Sequence, residues 1–122
     1  MLTDVAQISS RTALEIAFAY RTGETTPTAM TEHLLERIAA TRSSNIFISV
    51  VPERARAEAA AATARYREGR PASPLDGVPV AWKDLIDVAG APTTGGSRLF
   101  SATEKTTSDA PCVANLAAGG MV

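Results

Sequence analysis

The sequence has a single cysteine, Cys112, and a single histidine, His33, in 122 residues. A lone cysteine excludes an internal disulfide and any cysteine-cluster metal site, so the fold has to stand on packing alone. A lone histidine makes a histidine-based triad a poor fit. His33 falls beside the apolar stripe Met30/Leu34/Ile38, where a boundary or surface position is expected. Lysine is scarce too: of the twelve basic residues only Lys83 and Lys105 are lysine, the rest being arginine. An excess of one charge is also missing. The net charge is -1, with 20% charged and 45% hydrophobic residues, which describes an ordinary soluble globular protein without a basic nucleic-acid surface or an acidic tail.

No apolar run approaches the roughly 20 residues of a membrane span. The start, MLTDVAQISSRTALEIAFAY, carries Asp4 and Glu15 and lacks the basic segment and unbroken apolar core of a signal peptide. A cytoplasmic protein with no membrane and no nucleic-acid partner is the expectation. The length suits one modest domain.

What is there reads first as helix. Ser9 or Ser10 is expected to cap a first helix, with Thr12 and Glu15 also at capping-box spacing, Leu14/Ala17/Phe18/Arg21 on one stripe and Gly23 at its end. Thr26-Pro27 opens a second helix running to about Ala40, and the pair, within residues 1–44, reads as a helical hairpin. Residues 45–73 comprise an extended segment, IFISVV from Ile46 to Val51, and an Ala-rich helix from Pro52 to about Glu68, closed by Gly69. In residues 74–122, the apolar run Val78 to Trp82 reads as a strand buried on both faces. A Gly/Pro/Thr-rich passage follows. Then comes a helix capped by Ser108 or Asp109, with Pro111 in its first turn, Cys112, Val113, Leu116 and Ala117 on its apolar face, and Gly119 as C-cap. Strand, crossover and helix form the first part of a βαβ unit, whose next parallel strand would start at Met121 and have two residues. The sequence is therefore expected to be cut off inside an α/β fold.

Several patterns point towards chemistry, and most point weakly. The run Gly90 to Ser97 has G-x-x-x-x-G spacing, but Gly96 stands where a phosphate-binding lysine belongs. Gly95-Gly96-Ser97-Arg98-Leu99 has Leu99 in place of the second glycine of a nucleophile elbow. Asp84, Asp87, Glu104 and Asp109 are too scattered for a metal site, and Cys112 reads as a small core residue. Lys83 stands out. A lysine kept from water gives up its proton more readily and can act as a general base towards a serine hydroxyl. The plainer alternative is a solvated strand-end lysine paired with Asp84 or Asp87, and residue types alone leave both open.

The stretch PLDGVPVAWKDLIDVAGAPTTGGS (Pro74 to Ser97), followed by SDAPCVANLAAGGMV (Ser108 to Val122), resembles the amidase signature family, which comprises amide hydrolases and the A subunits of tRNA-dependent amidotransferases. The resemblance implies an α/β fold with a mixed central sheet covered by helices, and a Ser-cisSer-Lys triad hydrolysing carboxylic amide carbon-nitrogen bonds without metal or organic cofactor. The lysine after the G-V-P-V strand is that family's triad base and maps onto Lys83. The bridging serine, the nucleophile and the oxyanion-hole amides lie downstream in the family, and none of Ser97, Ser101 or Ser108 matches either catalytic serine. Lys83 is thus the one catalytic residue carried over, and the chain by itself is expected to be inactive. The expected partners are a small-molecule amide substrate and the missing C-terminal portion or a complementing chain. The alternatives are a non-catalytic remnant or interaction module, and an amidotransferase A subunit.

Overall fold

The computed structural model describes residues 4–122. A short helix absent from the sequence reading comes first: α1, Val5–Ile8, with the Asp4 carboxylate accepting the Ala6 N–H at 3.1 Å. Neither Ser9 nor Ser10 is the expected N-cap, and Ser9 instead ends α1 as its C-cap. Their hydroxyls donate back to the carbonyls of Ala6 and Gln7 at 2.8 and 2.9 Å. The next helix, α2 (Ala13–Arg21), starts instead at the Thr12/Glu15 capping box, in which each side chain accepts the other's backbone N–H. It ends as expected at Gly23, where the N–H groups of Gly23 and Glu24 reach back to Tyr20 and Ala19.

The expected face of α2 is wrong. Ile16, Ala17, Ala19 and Tyr20 are buried, whereas Leu14 is 67% and Phe18 62% exposed. The segment is apolar nearly all round, so periodicity does not select a face. Its neighbours do: Ile8, Met30, Val78 and the half-buried Tyr66 complete the cluster, with Tyr66 set edge-on to Tyr20 at 5.6 Å between ring centres.

Helix α3 (Pro27–Ala40) follows its expected course, with Thr26 accepting the Ala29 N–H and Pro27 in the first turn. It packs along α4 (Pro52–Arg67) and touches α1. The α3–α4 seam is polar at one level, where the Thr28 and Thr63 hydroxyls meet at 2.8 Å, and ionic at another, where Arg56 holds Glu32 through two bonds.

The strands expected at 46–51 and 78–82 are not formed among the described residues. Ile46 and Ile48 are 66% and 59% exposed, and an extended segment with no neighbour on which to satisfy its backbone is not a strand. In the second stretch only Val78 is buried. Pro79, Val80 and Trp82 are half-buried and Ala81 is exposed, which corrects the expectation of burial on both faces. Its backbone nevertheless has one neighbour. The Val122 N–H donates to the Val78 carbonyl at 3.0 Å and the Val122 carbonyl accepts the Val80 N–H at 2.7 Å, while the Gly77 N–H reaches Gly120 at 2.8 Å. One residue bonded to positions two apart on its neighbour is the parallel pattern.

The start of that stretch is fixed by a fully buried carboxylate. Asp76 accepts two bonds from the Arg65 guanidinium, at 2.8 and 2.6 Å, and one from the Ala72 N–H at 2.7 Å. The Tyr66 hydroxyl donates to the Asp76 carbonyl at 3.0 Å. Gly120, at φ +87°, passes so close that a Cβ there would collide with Asp76 Oδ1. It follows α5 (Pro111–Ala118), so α4, the 72–78 turn and the end of α5 meet at one ion pair. Neither Ser108 nor Asp109 caps α5; its N-cap is Ala110, without a side-chain bond. Val113 is buried, but Cys112 is exposed, not the core residue expected.

Candidate active site

Between α3, the 46–51 segment, the stretch around Trp82 and α5 lies an open, mostly apolar groove of about 790 Å³. Leu34, Ile38, Ile48, Trp82, Val113 and Leu116 are among its walls, and Lys83 stands on its lining. The Lys83 side chain is exposed and, among the described residues, makes no hydrogen bond or ion pair. The pairing with Asp84 or Asp87 allowed by the sequence does not occur, because both carboxylates are engaged elsewhere.

Asp84, also on the groove lining, holds the 94–96 turn. Its carboxylate accepts the Thr94 hydroxyl, the Thr94 N–H at 3.0 Å and the Gly96 N–H at 3.4 Å, while its carbonyl accepts the Gly95 N–H at 2.7 Å. The Thr94 hydroxyl, and then the Thr94 N–H, hold this carboxyl below the usual aspartate range. Two amides of the glycine-rich run whose spacing resembled a phosphate loop, those of Thr94 and Gly96, are therefore turned onto the protein's own carboxylate. Asp87 accepts the Thr93 hydroxyl at 2.6 Å.

Asp109 accepts a two-pronged pair from Arg54 at 2.6 and 2.8 Å and the Ala89 N–H at 2.8 Å. The Arg54 guanidinium, first of all, lowers the Asp109 pKa, and Asp109 in turn raises that of Arg54. Asp84, Asp87 and Asp109 thus share the role of tying a long loop, which their scatter along the chain concealed. Among the described residues no three His, Cys, Asp or Glu come together, and no helix is long and apolar enough to cross a membrane. His33 is half-buried on α3, with Nε2 3.4 Å from the Ser9 hydroxyl, far along the chain from the loop.

The amidase family model, described as Amidase, matches residues 29–122. This chain belongs to the amidase signature family. The match takes in most of the groove, Lys83 and the aspartate-tied loop. Among its relatives, the A subunit of the glutamyl-tRNA(Gln) amidotransferase of Chloroflexus aggregans is 45% identical over 84 residues, 68% of this chain and 17% of the relative. A fatty acid amide hydrolase of Oryza sativa subsp. indica is 32% identical over 112 residues, 88% of this chain and 18% of the relative. The solved structure of a peptide amidase from Stenotrophomonas maltophilia superimposes with a TM-score of 0.82 at 30% identity, over 93% of this chain and 23% of that one. The amidase-signature chain thus spans about a fifth of the length of the relatives it matches.

Proposed function

We propose that this chain supplies the base of an amide-hydrolysing Ser-cisSer-Lys site, with Lys83 as that base and the two serines contributed by the remainder of an amidase-signature fold. The observation that carries the proposal is the position of Lys83: exposed, unpaired among the described residues and on the lining of the groove, inside the stretch the family model matches. In the reaction the nucleophilic serine oxygen attacks the amide carbonyl as its proton passes through the bridging serine to the Lys83 amine. The carbon-nitrogen bond then breaks, the departing amine or ammonia takes up that proton, and water hydrolyses the acyl ester, releasing the acid and restoring the serine. Packing of the remaining fold over the apolar groove removes water from around the amine, a setting in which lysine acts as a base. The pair Val78/Val80–Val122 is the seed on which the parallel part of a central sheet extends, giving the α/β fold.

The test is a chimera in which this chain replaces the matching segment of the Stenotrophomonas maltophilia peptide amidase, assayed on a peptide amide. Activity that falls about a thousandfold or more on Lys83→Ala is the expected result. A chimera that is folded by circular dichroism yet inactive, or equally active without Lys83, overturns the proposal. The 122-residue chain assayed by itself is expected to be inactive, since a base without nucleophile or oxyanion donors cannot form and hold the tetrahedral intermediate. The 45% identity to an amidotransferase A subunit favours a second reading, in which the ammonia released is passed to an acceptor. Glutaminase activity of the chimera together with that enzyme's other subunits distinguishes the two.

A further inference from the structure

We infer that Asp84 is a positioning residue for the reaction: by tying itself to the 94–96 turn it fixes the backbone from which Lys83 projects into the groove. The inference rests on the reading of Lys83 as the triad base. A lysine side chain is a flexible four-carbon stem, and that of Lys83 has no partner among the described residues. Its direction is therefore set by its backbone. On one side the Val80 N–H is bonded to the Val122 carbonyl at 2.7 Å. Immediately after Lys83 the chain turns, with the Lys83 carbonyl accepting the N–H groups of both Leu85 and Ile86, at 2.7 and 3.1 Å.

That turn has little apolar anchorage: Leu85 is 64% exposed and Ile86 is only half-buried, on the groove lining. What holds it is Asp84, bonded through its carboxylate to Thr94 and Gly96 and through its carbonyl to Gly95. Thr94 is buried, at 4% exposure, and is the only residue between Pro79 and Cys112 that is, so the tie ends on a fixed point. Bonds from N–H and O–H donors to an ionised carboxylate are among the stronger ones in proteins. An asparagine at position 84 can still accept the Thr94 N–H, but it loses the charge and turns an N–H₂ group towards the Gly96 N–H, so it reproduces the tie only in part.

The test uses the active chimera and four substitutions. Asp84→Asn and Thr94→Val, which removes the hydroxyl while leaving the charge at Asp84, are each expected to lower kcat about 10- to 100-fold with KM changed less than about twofold, as misplacement of a reacting group does. Thr94→Ser, which restores the hydroxyl, and Asp84→Glu, which restores the carboxylate, are expected to recover part of the loss. The pH–kcat profile of Thr94→Val is expected to fall without shifting, since the charge beside Lys83 is unchanged. In the 122-residue chain, amide exchange at Gly95 is expected to quicken at least about tenfold in Asp84→Asn.

Wild-type kcat in both Asp84→Asn and Thr94→Val, in a chimera that Lys83→Ala inactivates, overturns the positioning role alone. A loss in Asp84→Asn that Thr94→Val does not share also overturns it, because the effect is then one of charge. Full activity in Lys83→Ala overturns the catalytic reading, while Gly95 exchange still reports on the tie itself.

Discussion

The two halves of the molecule are held by different forces. Between Val5 and Arg67 the chain is mostly helix, interrupted by the extended 46–51 segment, and packed through Ile8, Ile16, Met30 and their neighbours. From Pro74 onward there is one α-helix, of eight residues, and the chain between Val80 and Ala110 is tied by aspartates that reach across 6 to 55 residues. The difference teaches that irregular chain is placed here by ion pairs and carboxylate-to-amide bonds, the groups that a loop with little buried side chain can offer. Lys83 sits in the second regime and next to the groove.

The largest expected effect comes from breaking the first regime. Met30 is fully buried, and Met30→Ala should cost about 4 kcal/mol, within the range for large-to-small core changes, lowering the melting temperature of the whole chain. Asp76→Ala cuts the point where the halves meet. It should cost about 3 kcal/mol, at the low end for a broken buried pair, because Arg65 keeps 32% of its side chain in water. Denaturant melts measure both, and equal or reversed losses would say that the ion pair, not the apolar cluster, is the main support.

Acid sharpens the contrast without a mutation. Asp84 and Asp109 titrate below the ordinary aspartate value when folded, so what they contribute is present above the unfolded value of about 3.9 and is lost as pH falls through their lower folded values. The exchange protection of the Ala89 and Thr94 amides, whose N–H groups these carboxylates accept, measured against the intrinsic rate at each pH, should therefore fall on acidification before that of the α3 core turn around Met30. Simultaneous loss would contradict separate supports. The smallest effect belongs to Thr12→Ala, which removes one half of the capping box for about 1 kcal/mol and should leave the loop amides untouched, as two-dimensional NMR can check.

What was legible in the sequence follows the same division. The openings at Thr12 and Thr26-Pro27 were readable because a cap and its partner lie three residues apart, and that at Pro52 because proline suits the first helical turn. Strands at 46–51 and 78–82 were not, since a strand exists only with its neighbour, and residue types record an extended preference without one. Asp109 was expected to cap α5 because the local spacing allowed it, but Arg54, 55 residues earlier, holds it instead. The buried Asp76 gave no local sign of its Arg65 partner either. Lys83 was found through the family resemblance of its surroundings, and the structure adds what no motif carried: the bonds of Asp84 beside it.

The exposed Cys112 has a practical use. It is the one thiol in the chain, and it precedes Val113 on the helix that walls the groove. A maleimide dye therefore attaches at a single known place without engineering, and its fluorescence offers a direct optical reading of whether a complementing polypeptide has come to lie against α5.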